Sequence, residues 1–259
     1  DKPILIYWLQ GISISAFDFN EFALRLPSAL SVSLWGIALF YFLFKTTNIK
    51  VSLFALLILT TNVACIGVSR FASADGLLNL FIALSFFDIY RYWEARNKRV
   101  VYRVFLWISL GVLTKGPIAI LVPLVSGFVF FALQKDLKLF LRAVFDPIGW
   151  AVLLLLVTPW YAAILLDQGQ AFIDGFLLKH NIGRFAETLE GHGGSVFYYV
   201  PIIFLLLLPF SGLFVPLFSR FRLKTMSSLD QYCYVTFGFV FIFFSLSSTQ
   251  LPHYLLYLS

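Results

Sequence analysis

The chain has 259 residues, of which 60% are apolar and 19% aromatic, and only 12% carry a formal charge. This composition excludes an ordinary soluble domain and is typical of a protein whose main solvent is lipid. A net charge of +6 would be compatible with nucleic-acid binding. The basic residues instead lie between long apolar runs, as in membrane proteins, so we expect no nucleic-acid partner.

The first predicted element is DKPILIYWLQGISISAF, residues 1–17. It is too short to cross a bilayer, which takes about 20 apolar residues. It carries Tyr7 and Trp8, residue types that favour the membrane–water interface. We expect it to be a juxtamembrane helix lying along the outer surface of the membrane.

The rest of the chain contains a series of continuous apolar runs. Strands are disfavoured because these runs are long and do not alternate, whereas lipid-exposed backbone must satisfy its own hydrogen bonds. The sequence therefore predicts an all-α, polytopic transmembrane helical bundle with about eight spans. The predicted spans are 26–44, 51–69, 76–92, 101–114, 117–134, 146–166, 197–218 and 229–247.

The connections between these runs alternate in charge. Cytoplasmic loops retain Lys and Arg, so the richer set marks the inner side. The inner set holds Lys45, Lys50, Arg91, Arg96, Lys98, Arg99, Arg103, Lys135, Lys138, Arg142, Arg220, Arg222 and Lys224. The other connections, with all three histidines, are predicted to face outward.

The first candidate site residue on the outer side is Asp75, in SRFASADGLL. A carboxylate at a helix start, beside Arg70, is compatible with a simple interfacial ion pair. The second is Lys115, in GVLTKGPIAIL, beside Gly116 and Pro117. It either snorkels to the interface or holds an anionic headgroup beside backbone N–H groups freed by the turn.

Two further outer connections carry titratable side chains. In FLLKHNIGRF, a helix would place His180 and Arg184 on one face, where they could bind a phosphate or simply meet solvent. In STQLPHYLL, Tyr254 is compatible with an interfacial aromatic belt or with the same outer cavity. Convergence of these groups at one membrane face would form a single site.

Taken in order, these segments resemble the polyprenol-phosphate-dependent glycosyltransferases of the GT-C class, in the bacterial branch of protein O-mannosyltransferases and the lipid A aminoarabinose transferase. The resemblance covers essentially the whole chain. The segments that carry it are DKPILIYWL, SRFASADGLL, LTKGPIAILVP, TPWYAAIL, FLLKHNIGRF, YYVPIIFLLLLPFS and STQLPHYLLYL.

The resemblance implies transfer of a sugar from an undecaprenyl phosphate carrier to a lipid A, protein or glycan acceptor. It implies a multi-pass protein of the bacterial inner membrane with a periplasmic active face and no nucleotide cofactor. It also assigns the candidate residues: Asp75 lies in the active cavity, Lys2, Lys115, Arg184 and Tyr254 bind the carrier phosphate, and Asp1 and His180 match the ligands of a divalent metal such as zinc.

The family's principal catalytic aspartate precedes the segment that matches DKPILIYWL. We therefore expect residues 1–259 to be a single catalytic-core piece of a longer protein, with a first span before it and a C-terminal portion after it. The alternative function is a transporter or flippase of an anionic lipid-linked substrate. That function predicts charges near the bilayer midplane and broken helices in two related halves, and neither is evident in the sequence. The sequence leaves open which sugar and which acceptor are used, and the oligomeric state.

Overall fold

A computed structural model of the chain describes residues 3–175, 197–214, 216 and 226–248, and every regular element in these ranges is helical. The all-α prediction is therefore confirmed. The helices are α1 (Leu5–Phe17), α2 (Glu21–Thr46), α3 (Ile49–Thr61), α4 (Val63–Arg70), α5 (Asp75–Ala95), α6 (Lys98–Lys115), α7 (Ile118–Leu133), α8 (Leu137–Val144), α9 (Pro147–Gln168), α10 (Tyr199–Leu206) and α11 (Ser228–Ser245).

Helix α1 confirms the predicted short helix at the start of the chain. It packs against α2 and α6, and it buries Ile6 while leaving Tyr7 and Trp8 about half exposed. Its 13 residues are too few to span a bilayer, and its exposed aromatic side chains suit the interface. The turn into α2 is closed by Asn20, whose side-chain oxygen accepts from the backbone N–H of Ala23.

The predicted span 51–69 is two helices rather than one. Helices α3 and α4 meet at Asn62 with a bend of 59°. Asn62 has an extended backbone, and its buried side-chain oxygen accepts from the N–H groups of Ala64 and Cys65. The side chain thus caps a new helix where a continuous one was expected.

Each predicted run between 26 and 166 coincides with a helix or, for 51–69, with this bent pair. In the described part of the chain, α2 and α9 are long and apolar enough to cross a membrane, and the bent pair α3–α4 would make a third span. The other helices are shorter or less apolar. Judged by helix length and hydropathy, two or three of the eight predicted spans are therefore supported in the described part of the chain. The described part of the predicted run 197–218 contains α10 and a short 3-10 helix (Phe210–Leu213) with turns beside them, and the run 229–247 contains α11.

Helix α5 is the centre of the bundle. It packs against α2, α6, α7 and α4, and most of its side chains are buried. Helix α9 packs mainly on α6 and leaves most of its surface exposed, as expected of a helix that faces lipid. Helix α8 is a short amphipathic helix between α7 and α9, and its own Phe140 is buried against the bundle. The two ends of α5 therefore define the two ends of the bundle.

Candidate functional site

Asp75 begins α5 at one end of the bundle. The turn before it is fixed to α2, because the Ser28 hydroxyl donates to the Ser73 carbonyl at 2.9 Å. Gly76 lets the two helices approach closely, since a Cβ there would lie 3.2 Å from the Ser28 carbonyl oxygen. The helix dipole favours a carboxylate in the first turn of α5. The sequence thus places Asp75 at a rigid, electrostatically favourable position.

Lys115 is the last residue of α6, on the tight turn that the sequence predicted. Gly116 follows with φ of 98°, a conformation that favours glycine, and its N–H donates to the Val112 carbonyl. Pro117 then leads into α7. Just before the turn, Gly111 brings α6 against Ala119 of α7, where a Cβ would lie 2.7 Å from the Ala119 Cβ. The backbone therefore fixes the base of the Lys115 side chain.

These two residues, 40 positions apart in the chain, meet. The Lys115 Nζ lies 2.5 Å from the Asp75 Oδ1, in a charge-assisted contact. The side chains remain 25% and 14% exposed respectively, so the pair is reachable from outside the bundle. We call the region around this pair the Lys115 end. A partly exposed ion pair of this kind can admit a third charged group.

The pairing differs from the first interpretation of SRFASADGLL, in which Arg70 is the partner of Asp75. Arg70 ends α4 with an exposed side chain, and among the described residues the ion pair of Asp75 is formed with Lys115. Proximity in sequence pointed to Arg70, whereas the meeting of α5 and α6 selects Lys115.

The structure therefore brings together two of the predicted site residues. The other five lie outside the described residues, so their predicted roles stay predictions. They are Asp1, Lys2, His180, Arg184 and Tyr254. Within the described ranges, no three His, Cys, Asp or Glu side chains come together as a metal site.

Sequence reasoning overlooked a second charged cluster, at the opposite end of α5. Asp88 is fully buried, and its carboxylate accepts from Arg91 at 3.0 Å, Arg103 at 2.9 Å and the Trp107 indole N–H at 2.9 Å. The signal was available, because a carboxylate inside the predicted span 76–92 is costly to bury without partners. From the sequence, Arg91 and Arg103 serve only to mark the predicted inner loops.

A smaller cluster lies near Asp88, where α7 ends. Asp136 accepts from Arg96 at 2.7 Å and from the Trp93 indole N–H at 3.0 Å. The hydrogen bond from Arg96, followed by that from Trp93, holds the pKa of the Asp136 carboxyl below its ordinary value. We call the region of Asp88, Asp136 and the surrounding Lys and Arg side chains the basic end.

The chain is similar to known proteins over most of its length. The sequence profile of the family described as "Dolichyl-phosphate-mannose-protein mannosyltransferase" matches residues 1–162. An "Undecaprenyl phosphate-alpha-4-amino-4-deoxy-L-arabinose arabinosyl transferase" of Yersinia pestis (strain Pestoides F) is 28% identical over 262 residues, covering 99% of this chain and 47% of the relative. The protein of the same description from Yersinia enterocolitica is 27% identical, with the same coverage.

Two solved structures share the fold. ArnT from Cupriavidus metallidurans bound to undecaprenyl phosphate superposes with a TM-score of 0.89 at 21% identity, covering 99% of this chain and 47% of ArnT. The apo form of ArnT gives a TM-score of 0.84. At this identity the likeness establishes the fold. The chain spans about half the length of the curated relatives that it matches.

Proposed function

Because the chain belongs to the dolichyl-phosphate-mannose-protein mannosyltransferase family, we propose that the full-length protein transfers a sugar from a polyprenyl phosphate carrier to a lipid, protein or glycan acceptor. The observation that carries the proposal is the ion pair of Lys115 and Asp75, held on a fixed turn yet partly exposed. The relatives described as arabinosyl transferases, and the ArnT structure with undecaprenyl phosphate, support this carrier class.

The proposed reaction breaks the bond between the sugar's anomeric carbon and a carrier phosphate oxygen, and forms a bond from the acceptor nucleophile to the same carbon. A hydroxyl acceptor loses its proton in this step, and the catalytic aspartate that the resemblance places before the DKPILIYWL segment would accept it. The phosphate leaves with the electron pair, so negative charge develops on it. Lys115 would neutralise this charge, and such electrostatic stabilisation is a large contribution to catalysis. Asp75 would hold the Lys115 ammonium in place before the carrier binds and orient the acceptor or sugar afterwards. The displacement would invert the configuration of the anomeric carbon.

The remaining site residues enter the proposal through the resemblance. Lys2, Arg184 and Tyr254 would complete the phosphate site, with Arg184 offering planar, bidentate hydrogen bonds to phosphate oxygens. Asp1 and His180 would hold a divalent cation such as zinc, for which carboxylate and imidazole are suitable ligands. A bound cation would supply further positive charge beside the phosphate. None of the steps above depends on it.

The proposed location is the bacterial inner membrane, with the Lys115 end facing the periplasm. The concentration of Lys and Arg at the basic end supports this orientation, because positive loops stay in the cytoplasm. The isoprenoid tail of the carrier would remain in lipid while its phosphate reaches Lys115 at the membrane surface.

A transporter or flippase is the competing function, and two features bear on it. Helices α3 and α4 form a broken span, and Asp88 is a carboxylate within an apolar run. However, Asp88 lies about 20 Å along α5 from Asp75 and about 10 Å from Ala95, so it is nearer the C-terminal end of the helix. Two arginines and a tryptophan already satisfy it. These features support a structural cluster more than a transport pathway.

The test uses the full-length protein in proteoliposomes with a radiolabelled undecaprenyl-phosphate-linked sugar and measures release of free undecaprenyl phosphate. We expect Lys115→Met to lower turnover about 10²- to 10³-fold, since it removes charge stabilisation from the leaving group. Asp75→Asn and Arg184→Ala should also fail to turn over while remaining folded. Lys45→Met is the matched control, because Lys45 is an exposed lysine at the basic end. Equal turnover in all five proteins would favour the transporter.

A further inference from the structure

An apolar cavity of about 150 Å³ lies between α7 and α9, over α6. Val104, Phe105 and Ile108 of α6 form its floor, and Leu124 of α7 faces Leu153 of α9 across it. Its lining is almost wholly apolar, and cavities of this size and character stay dry and accept apolar ligands. The natural occupant is therefore hydrocarbon rather than water.

The cavity is elongated and open at its side. It runs along α7 from Ile120 to Phe131, a distance of about 16 Å. At its edges Leu124 is 39% and Trp150 is 45% exposed, and α9 beside it is mostly exposed. The opening thus faces the surroundings of the bundle, and its shape suits an extended chain rather than a compact ligand.

Helix α8 closes the cavity at the basic end. Phe140, Ala143 and Val144 line the cavity, and four-residue spacing puts Lys138 and Arg142 together on the opposite, exposed face. The Trp150 indole N–H donates to the Val144 carbonyl at 2.8 Å, which fixes α9 to α8 at the level where tryptophan favours a membrane interface. A hydrocarbon chain in the cavity would therefore end beside a cationic surface.

The cations of this surface outnumber the carboxylates near them, which are Asp88, Glu94, Asp136 and Asp146. Arg91 and Arg103 pair with Asp88, and Arg96 pairs with Asp136. Lys138 and Arg142 on α8 add exposed positive charge beside them. A polybasic surface of this kind attracts anionic lipid headgroups, by about 1 kcal/mol for each Lys or Arg.

From the cavity and its cationic rim together, we infer a binding site for an anionic phospholipid of the phosphatidylglycerol class. A segment of one acyl chain enters the cavity between α7 and α9 through its open side, and the headgroup lies against Lys138 and Arg142. The headgroup position is about 15 Å or more along α6 from Lys115, so it is separate from the proposed carrier-phosphate site. The inference does not rest on the proposed transfer activity.

The experiment measures lipid retention by native mass spectrometry on the delipidated full-length protein. The protein is reloaded with an equimolar mixture of phosphatidylglycerol and phosphatidylcholine with identical acyl chains, and separately with undecaprenyl phosphate. Leu124→Trp fills the mouth of the cavity, and Ile148→Trp is its control, because Ile148 is an exposed residue of α9 that does not line the cavity. We expect Leu124→Trp to lose retention of both phospholipids and Ile148→Trp to match wild type.

A second set of variants removes positive charge, which separates recognition of the headgroup from occupation of the cavity. Replacing Lys138 and Arg142 by Gln should reduce the preference for phosphatidylglycerol roughly fivefold for each charge removed, with phosphatidylcholine unaffected. The control replaces Lys45 and Lys50, exposed cations of the α2–α3 connection, by Gln. Both charge variants alter exposed side chains, so folding should be preserved.

Three results would overturn the inference. The first is unchanged phospholipid retention by Leu124→Trp. The second is an unchanged headgroup preference after removal of Lys138 and Arg142. The third is retention of undecaprenyl phosphate that Leu124→Trp abolishes while phosphatidylglycerol is ignored, which would assign the cavity to the tail of the carrier.

Discussion

Helix α5 carries two paired carboxylates that differ in burial and in the number of their partners. At the basic end, Asp88 is sealed in the bundle and accepts from two arginines and a tryptophan. At the Lys115 end, Asp75 is 14% exposed and meets a lysine that is 25% exposed. An aspartate is thus buried and fully paired at one end of the bundle, and accessible from outside at the other.

The difference separates structural charges from functional ones. A buried carboxylate whose acceptor sites are taken cannot bind a ligand without leaving its own partners unsatisfied. A partly exposed pair can exchange one partner for an incoming phosphate at modest desolvation cost. The Asp88 cluster should therefore govern stability, and the pair of Asp75 and Lys115 should govern ligand binding.

The largest effect on stability should come from Asp88→Ala. It removes the acceptor of Arg91, Arg103 and Trp107. Because Arg91 is 25% and Arg103 48% exposed, both can turn to water, so the loss should be about 3 kcal/mol, at the low end of the cost of breaking a buried ion pair. Thermal unfolding of the full-length protein in detergent measures the loss. Glu94→Ala is the matched control, because Glu94 is an exposed carboxylate on the same helix. Similar melting of the two variants would show that the cluster does not hold the bundle together.

The second largest effect on stability should come from two glycine variants, Gly149→Ala and Gly111→Ala, of which one should also affect transfer. A Cβ at Gly149 would lie 2.4 Å from the Phe105 ring, and one at Gly111 would lie 2.7 Å from the Ala119 Cβ. Each alanine variant should lose about 1–3 kcal/mol through overpacking. Only Gly111→Ala displaces the turn that carries Lys115, so we expect it alone to lower transfer per folded molecule. Equal transfer rates, with equal losses of stability, would contradict that link.

The smallest effect should come from Asp136, which is paired near the surface. Its carboxyl pKa is lowered in the folded protein, first by the hydrogen bond from Arg96. The stabilisation is therefore present above the ordinary carboxyl pKa and is lost as the pH falls through the lowered value. Asp136→Asn should cost about 1 kcal/mol or less at neutral pH.

The pH dependence of melting checks this sign. The difference between wild type and Asp136→Asn should shrink once the pH falls below about 4, where an ordinary Asp protonates. Asp18→Asn is the control, because Asp18 is an exposed carboxylate in the turn between α1 and α2. A difference that grows in acid would show that the Arg96 contact does not stabilise the fold.

The periodicity and composition of the sequence were enough for the helical class, the short helix α1 and the turn at Lys115. They depend on runs of apolar residues and on Gly116 and Pro117, which act locally. The break at Asn62 was missed because a single capping side chain, inside an otherwise apolar run, outweighed the continuity of the run.

The side-chain contacts between α5 and α6 could not be predicted from the sequence for a different reason. Asp75 meets Lys115 across 40 residues, and Asp88 meets Trp107 across 19. Both contacts depend on how α5 packs against α6, which a pattern along one chain does not specify. Asp75 and Lys115 could each be recognised as candidates, but only the fold shows that they form one site.

The most direct test of the central claim is equilibrium binding of undecaprenyl phosphate to the full-length protein, comparing wild type, Lys115→Met, Asp75→Asn and Lys45→Met. If Lys115 receives the carrier phosphate, Lys115→Met should weaken binding about 10-fold or more, as expected for a lost charge-assisted hydrogen bond of 1.5–3 kcal/mol. Asp75→Asn releases the lysine from its carboxylate, so this variant should bind undecaprenyl phosphate at least as tightly as wild type. The control Lys45→Met should have the affinity of wild type. Wild-type affinity in Lys115→Met would contradict the account.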